Sequence, residues 1–467
     1  MRRSIIGAAV LVAVTLPLLL SAQAPQQGQR GVGQRGDGQR GGAPNAPPPA
    51  APASQEPVKK FPYPAVRNQT GVLPTGPKVQ PYNSPPLGNG PWAMETYEQR
   101  NIKVSIVTKG LTAPWGIAFV PAPAGSSDSV ILVTEKAGRL RVVRNGVLEP
   151  TPVAGIPAVH SQGTMAGLMD IALHPQFATN RWLYISYHKP MGRGVGPDNR
   201  EGVIASNAVM RGTWDGKGLT DIRDIFVADD VDMEVSRLAF GADGMLYMSI
   251  GGPGTGGDDS LIRPQHLTDY AGKILRMRDD GSVPPDNPFV NQKDAKGRIF
   301  SLGHRNQLGM AVNPWTKELW SGEQGPNGGD EINIIRAGKN YGWPLISDGR
   351  DYRGPYISPV PFKEGMERPH VLFVPSIAIS SIAFYTGDKF PNWQRNLFVS
   401  GMREGEIART GQLVRIVFND KWDEMRRESL LRDLHQRIRD VRQGPDGLIY
   451  VITDEGANSV MLKIEPV

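Results

Sequence analysis

Apolar and polar positions fall into a repeating pattern along most of this chain. A short apolar triplet is followed by a turn carrying Pro or Gly, often with Asp or Asn, and then by an aromatic-containing strand. Gly116-Ile117-Ala118-Phe119 leads to Val130-Ile131-Leu132-Val133, and Asp170-Ile171-Ala172-Leu173-His174-Pro175 leads to Trp182-Leu183-Tyr184-Ile185. Leu238-Ala239-Phe240 precedes Met245-Leu246-Tyr247-Met248, and Met310-Ala311-Val312-Asn313-Pro314 precedes Leu319-Trp320. Ile382-Ala383-Phe384 precedes Asn396-Leu397-Phe398-Val399, and Val441 with Pro445-Asp446-Gly447 precedes Leu448-Ile449-Tyr450-Val451. The period is roughly 55 to 70 residues, that of a propeller blade with loop insertions.

Alternating strands joined by turns, with little helical periodicity, place the chain in the all-β class. Six units argue for a six-bladed β-propeller over two stacked sandwiches, because closing a ring hides the strand edges. An early strand, Ile102 to Val107, is placed to complete the last blade. One local helix is expected at Lys421 to Arg439, which is rich in Glu, Arg and Leu.

The first hundred residues read differently. Arg2 and Arg3, the apolar run Ile5 to Leu20 and the small residues Ser21-Ala22-Gln23-Ala24 make residues 1–24 a secretory signal. That run is short for a membrane span and Pro17 interrupts it. Residues 25–58 form a low-complexity spacer, with Gly28-Gln29-Arg30-Gly31 recurring twice before the Pro/Ala run Ala43 to Ala53. Residues 59–98 are an extended lead-in, and the propeller is expected at 99–467. There is no cysteine, so neither a disulfide nor a lipidated N-terminal Cys is available. The net charge of +6 lies wholly in residues 1 to 67, which hold eight Lys/Arg against two acids. The folded part is near neutral, so the basic balance does not point to nucleic acid. With the signal removed, a periplasmic or secreted protein without an integral membrane segment is expected.

The densest chemistry lies between Gly303 and Pro344, GHRNQLGMAVNPWTKELWSGEQGPNGGDEINIIRAGKNYGWP. Its Gly-Pro and Gly-Gly pairs force tight turns that leave carbonyls facing outward. Such carbonyls beside a carboxylate suit a hard cation such as calcium, and a fixed Arg beside them suits an anion. A turn-rich loop with a surface ion pair is the plainer alternative. The order GHRN, EQGPN, DEIN and GKNYGWP resembles the soluble sugar dehydrogenases that use pyrroloquinoline quinone (PQQ), the glucose/sorbosone dehydrogenase family. The resemblance runs from about Val104 to the C-terminus. It implies a Ca2+- and PQQ-dependent oxidation of an aldose or related sugar, with electrons passed to an acceptor whose identity is open. It implies cofactor contacts at Arg305, Asn306, Gln324, Tyr352, Arg403, Arg437 and Arg439. It also implies calcium held by the carbonyls of Gly325 and Pro326, and a second calcium at Glu331 and the Tyr341 carbonyl.

Three positions depart from the family. Its catalytic His falls at Met233, which cannot accept a proton, and the Asp that orients that His falls at Gly252. Its Gln before Gly-Leu-Leu falls at Met165. Glu234, beside Met233, and His160 are candidate substitute bases, with Gln162 in the same loop as His160. His304 belongs to the GHRN turn and is expected to orient it, while His174, His188, His266, His370 and His435 read as turn or surface residues. Two other readings stay open: a propeller that binds the quinone or another anion without catalysis, and a calcium-dependent hydrolase of the lactonase type.

Overall fold

The structure, a computed structural model, describes residues 84–467 apart from 123–124, 164, 196–200, 232, 253–257, 353 and 355. The expected signal and spacer lie outside the described residues, as does most of the lead-in. The described chain opens with strands β1 (Trp92–Met94) and β2 (Ile102–Leu111). Blade 1 follows as β3 (Pro114–Val120), β4 (Val130–Glu135), β5 (Arg139–Arg144) and β6 (Val147–Leu148). Blade 2 is β7 (Leu168–Leu173), β8 (Trp182–Val195), β9 (Glu201–Trp214) and β10 (Leu219–Val227). Blade 3 is β11 (Leu238–Phe240), β12 (Leu246–Ile250), β13 (Lys273–Met277) and β14 (Ile299–Leu302). Blade 4 is β15 (Asn306–Val312), β16 (Leu319–Gln324), β17 (Asp330–Ile335) and β18 (Val371–Phe373). Blade 5 is β19 (Ile379–Phe384), β20 (Leu397–Gly401), β21 (Gln412–Phe418) and β22 (Glu424–Leu430).

Blade 6 is made from both ends of the chain. Strands β23 (Ile438–Gln443), β24 (Ile449–Thr453) and β25 (Ser459–Pro466) are joined by β2 and then β1. Val104 pairs with Ile464 across that seam, and Trp92 with Val104 beyond it. The first strands of the six blades pack neighbour against neighbour around a complete ring, β23 returning to β3. The fold is the all-β, six-bladed propeller that the repeat implies.

Burial follows position in the blade. Second strands such as β12 and β24 are buried along their whole length because neighbouring blades cover both faces. Outermost strands are not. In β22, EMRRESL, only Leu430 is buried. This explains a correction: the helix expected at Lys421 to Arg439 is instead β22, a 3-10 turn at Arg432–Leu434 and the start of β23. An outer strand facing solvent carries no apolar alternation, so its Glu/Arg-rich sequence mimics a helix surface while its backbone pairs with β21.

At the ring axis the Arg237 side chain, 2% exposed, connects most of the blades. From blade 3 it reaches Asp170 of blade 2 at 3.1 Å and Asp440 of blade 6 at 3.4 Å. It also donates to the carbonyls of Leu308 in blade 4 and Ser380 in blade 5. Asp440 in turn accepts the Ile117 N–H of blade 1 at 2.9 Å. Arg442 bonds both carboxylates, each at 3.1 Å.

Candidate functional site

In each blade the first strand starts at the end of the ring where the antiparallel second strand finishes. The candidate residues occupy those two places. Arg305 and Asn306 open β15 and Gln324 closes β16, with Asn306 and Gln324 as cross-strand partners. Arg437 and Arg439 open β23, Asp454 follows β24, and Arg403 follows β20. Residues far apart in sequence are thereby gathered at one mouth of the channel.

Two cationic groups form there. In the first, Arg439 bonds Asp454 through both Nε, at 3.2 Å, and Nη2. Its guanidinium lies 4.2 Å from the centre of the Trp115 ring. Arg437 reaches the same carboxylate at 3.8 Å. Burial works to raise the Asp454 carboxyl, but Arg439 and Arg437 outweigh it and hold the group below its usual range. Arg437 Nε, Arg439 Nη1 and Asn306 Oδ1 are buried polar atoms without a hydrogen-bond partner among the described residues.

The second group is Arg305, Arg403 and Tyr352. Burial raises the Tyr352 phenol, and the charges of Arg305 and Arg403 pull it back in part. Arg403 pairs with Glu406 at 2.9 Å. Arg305 donates to the carbonyls of Gln324 and Gly325, both at 2.9 Å, and lies 5.3 Å from the Trp343 ring centre. The Pro326 carbonyl accepts from the Ser376 hydroxyl at 3.2 Å. Both carbonyls assigned to calcium by resemblance are thus engaged within the protein, each retaining a second lone pair. Asp330 holds their loop through the Gly325 N–H, and also accepts from Ile377 and Ile379. Burial raises its carboxyl to about 6 against those donors.

Beside this loop, Glu323, Glu331 and Tyr341 line a cavity of about 10 Å³, room for one water-sized sphere. Burial and the Glu323 charge raise the Glu331 carboxyl. Among the described residues no three His, Cys, Asp or Glu side chains gather as a metal cluster, so a cation here would depend on carbonyls with one or two carboxylates. His304 is fully buried, stacked on Tyr341 and bonded to Glu323 and Ser301, which makes it an anchor of the turn.

The departures are equally defined. Met233 is buried in the cluster of Phe226, Leu238 and Tyr270, facing the core. Gly252 lies against the Arg305 carbonyl, to which its N–H donates at 2.6 Å. Met165 packs on the apolar floor of Trp115, Met169, Val235 and Leu308. Glu234 turns toward the site: its Oε2 accepts from Asn306 Nδ2 at 3.1 Å. His160 is half-buried, and burial lowers its imidazole.

His188 is not the turn or surface residue expected. It is 3% exposed, its Nε2 lies 3.0 Å from the Met233 carbonyl, and its Nδ1 accepts from the Gly167 N–H. Burial lowers its pKa to about 4, so the neutral ring uses both nitrogens to tie the Met165 loop to the Met233–Glu234 loop. His174 and His370 likewise pack in aromatic clusters, with Trp182, Tyr184 and Phe240, and with Trp320 and Phe418. Their neighbours come from other strands, which local sequence does not reveal. Lys136 and Asp454 also had no motif to mark them. Their only signal is position, one residue beyond the second strand of a blade.

The family signature described as Glucose / Sorbosone dehydrogenase matches residues 111–462. The aldose sugar dehydrogenase of Escherichia coli is 37% identical over 373 residues, 78% of this chain and 93% of that protein. The crystal structure of the soluble E. coli aldose sugar dehydrogenase in its apo-form superposes with a TM-score of 0.68 at 35% identity, over 78% of this chain and all of that one. The PQQ-bound form of an aldose sugar dehydrogenase from Streptomyces coelicolor shares the fold with a TM-score of 0.58 at 24% identity, over 80% of this chain and 99% of that one.

Proposed function

The chain belongs to the glucose/sorbosone dehydrogenase family of PQQ-dependent soluble sugar dehydrogenases, and from that premise we propose that it oxidises an aldose or related sugar with PQQ and Ca2+. The observation carrying this reading is the set of buried, unpartnered polar atoms on Arg437, Arg439 and Asn306 at one mouth of the ring. Leaving such groups unsatisfied is costly. A ligand bearing carboxylates and carbonyls fits the Arg437 Nε and Arg439 Nη1 donors, while Asn306 Oδ1, an acceptor, would take an N–H or O–H of the ligand.

In this reading Arg305, Asn306, Gln324, Tyr352, Arg403, Arg437 and Arg439 hold the cofactor. When bound, the quinone supplies the two-electron acceptor for hydride leaving the sugar carbon. Carbonyls of Gly325 and Pro326 would carry one calcium. Glu331 and the Tyr341 carbonyl would carry another, relieving the repulsion between Glu331 and Glu323. The sugar's hydroxyl proton must go to a base. Glu234 is the best placed, since Asn306 orients its carboxylate and Met233 beside it is turned into the core. His160 is the reserve. The signal read at residues 1–24 would place this oxidation outside the cytoplasm. No helix among the described residues is long and apolar enough to cross a membrane.

The test is a titration of mature apo-protein with PQQ and calcium followed by absorbance, with a sugar then added. Binding followed by bleaching to the reduced form is expected. Glu234→Gln should keep the binding and lower kcat for dye reduction by about 10²- to 10⁴-fold. The burial of Met233 favours one second reading, a propeller that binds the quinone without turning over. Cofactor that binds but stays oxidised with every sugar would establish that reading instead.

A further inference from the structure

Lys136 stands one residue beyond β4, as Asp454 stands one residue beyond β24. Its backbone is held tightly between blades 1 and 2. The N–H donates to the Ala113 carbonyl at 3.0 Å, and the carbonyl accepts the Leu168 N–H at 3.1 Å. At Gly167, with φ +147°, a Cβ would stand 2.6 Å from that same carbonyl, so the approach requires glycine. The side chain is thereby aimed along the loop that holds Met165, and Nζ donates to the Gly163 carbonyl at 3.3 Å.

Nζ also stands 6.0 Å from the centre of the Trp115 ring, the ring on which Arg439 rests at 4.2 Å. Lys136 and Arg439 thus share one aromatic floor, and Asp454 feels their charge and that of Arg437. Burial first, then the Arg439 and Arg437 charges, push the Lys136 ammonium down to about 8, against the pull of Asp454. A second anion at this place would relieve the surplus positive charge.

We propose that Lys136 completes, with Arg437 and Arg439, a carboxylate-binding subsite over Trp115. The ammonium supplies a charged donor on the side of the mouth where Met165 and Met233 offer none. For Arg437 and Arg439 this rests on the cofactor reading above; for Lys136 it extends it. The carboxylate can come from the quinone or from an acidic sugar such as a uronate or aldonate.

Apo-protein, Lys136→Met and Lys136→Arg would be titrated calorimetrically with PQQ and calcium at pH 7 and pH 9.5. If the quinone supplies the carboxylate, Lys136→Met weakens PQQ binding about tenfold at pH 7 and Lys136→Arg restores it. Wild-type affinity then falls toward the Met variant's as pH rises, while the Arg variant's does not. The charged and titratable groups facing Lys136 are Arg437, Arg439, Asp454 and His188. The carboxyl of Asp454 and the imidazole of His188 are both held low, so over that range Asp454 stays ionised and His188 neutral. If PQQ binding is unchanged, a tenfold rise in KM for a uronate, but not for the matching neutral aldose, assigns the carboxylate to the substrate. No change in either measurement overturns the proposal. Failure of the wild type to bind PQQ sinks the cofactor reading alone, and gluconate binding then decides the subsite. Weaker binding by Lys136→Met supports it; no binding by the wild type overturns it.

Discussion

At the scale of single residues, the site is set by which polar atoms are left to face a ligand. Arg439 divides its guanidinium between Asp454 and an unbonded Nη1, with Trp115 beneath it. A neutral replacement should remove a charge-assisted contact without opening a large cavity. Arg439→Gln is expected to weaken PQQ binding about tenfold or more, read by absorbance titration, a loss of the size of one charged hydrogen bond. An unchanged affinity would place the cofactor elsewhere. Glu234 is the residue on which turnover depends in this account, because Met233 and Gly252 leave no His–Asp pair to do its work.

At the scale of elements, the described end of the lead-in adds β1 to the sheet of blade 6. Beyond β1, Glu98 bonds Arg415, whose side chain is almost fully buried, and Arg426 on the neighbouring blade. Burial works to raise the Glu98 carboxyl, but Arg426 and Arg415 outweigh it and hold it below its ordinary 4.5. A lowered carboxylate stabilises the fold above its unfolded pKa, and that contribution disappears as pH falls through the folded value. Glu98→Gln should therefore lower stability by about 1 kcal/mol at pH 7. The difference from wild type should be full above the ordinary 4.5 and shrink as pH falls below it through the lowered folded value. Urea unfolding at about pH 7 and at steps down the acid range checks this, and a difference that does not shrink would remove the ion pair from the explanation.

At the scale of the whole molecule, no disulfide is available, and the ring is held by its terminal seam and its axis. Arg237→Met would leave Asp170 and Asp440 buried with only Arg442 between them. A loss of about 3 kcal/mol or more is expected, seen as a lower urea midpoint. A variant as stable as wild type would show that the axial network contributes specificity rather than stability. Calcium should act in the same direction as the seam. A cation bound to the native state at a hundred times its Kd adds about 2.7 kcal/mol. Chelation should accordingly lower Tm, and a Tm indifferent to chelator would argue against both calcium sites.

What the sequence determined by itself was the ring. Six recurrences of triplet, turn and aromatic strand require six sheets, and a strand at each end of the chain predicts the seam. The Gly-Pro and Gly-Gly turns of EQGPNGG could be read because tight turns need particular residues, and GHRN and GKNYGWP could be read by their resemblance to the family. The outer strand β22 could not be read, because a solvent-facing strand lacks the apolar alternation that distinguishes it from a helix. Nor could the roles of Lys136, Asp454, His188 and Arg237. Each acquires its chemistry from groups tens or hundreds of residues away, brought close only when the blades close. Arg237 is an ordinary cation in the sequence and an axial tie in the fold. His188 is a surface histidine by composition and a neutral pin by burial. Burial and long-range charge are properties of the assembled ring, so tertiary structure alone decided which polar atoms at its mouth are buried without a partner among the described residues.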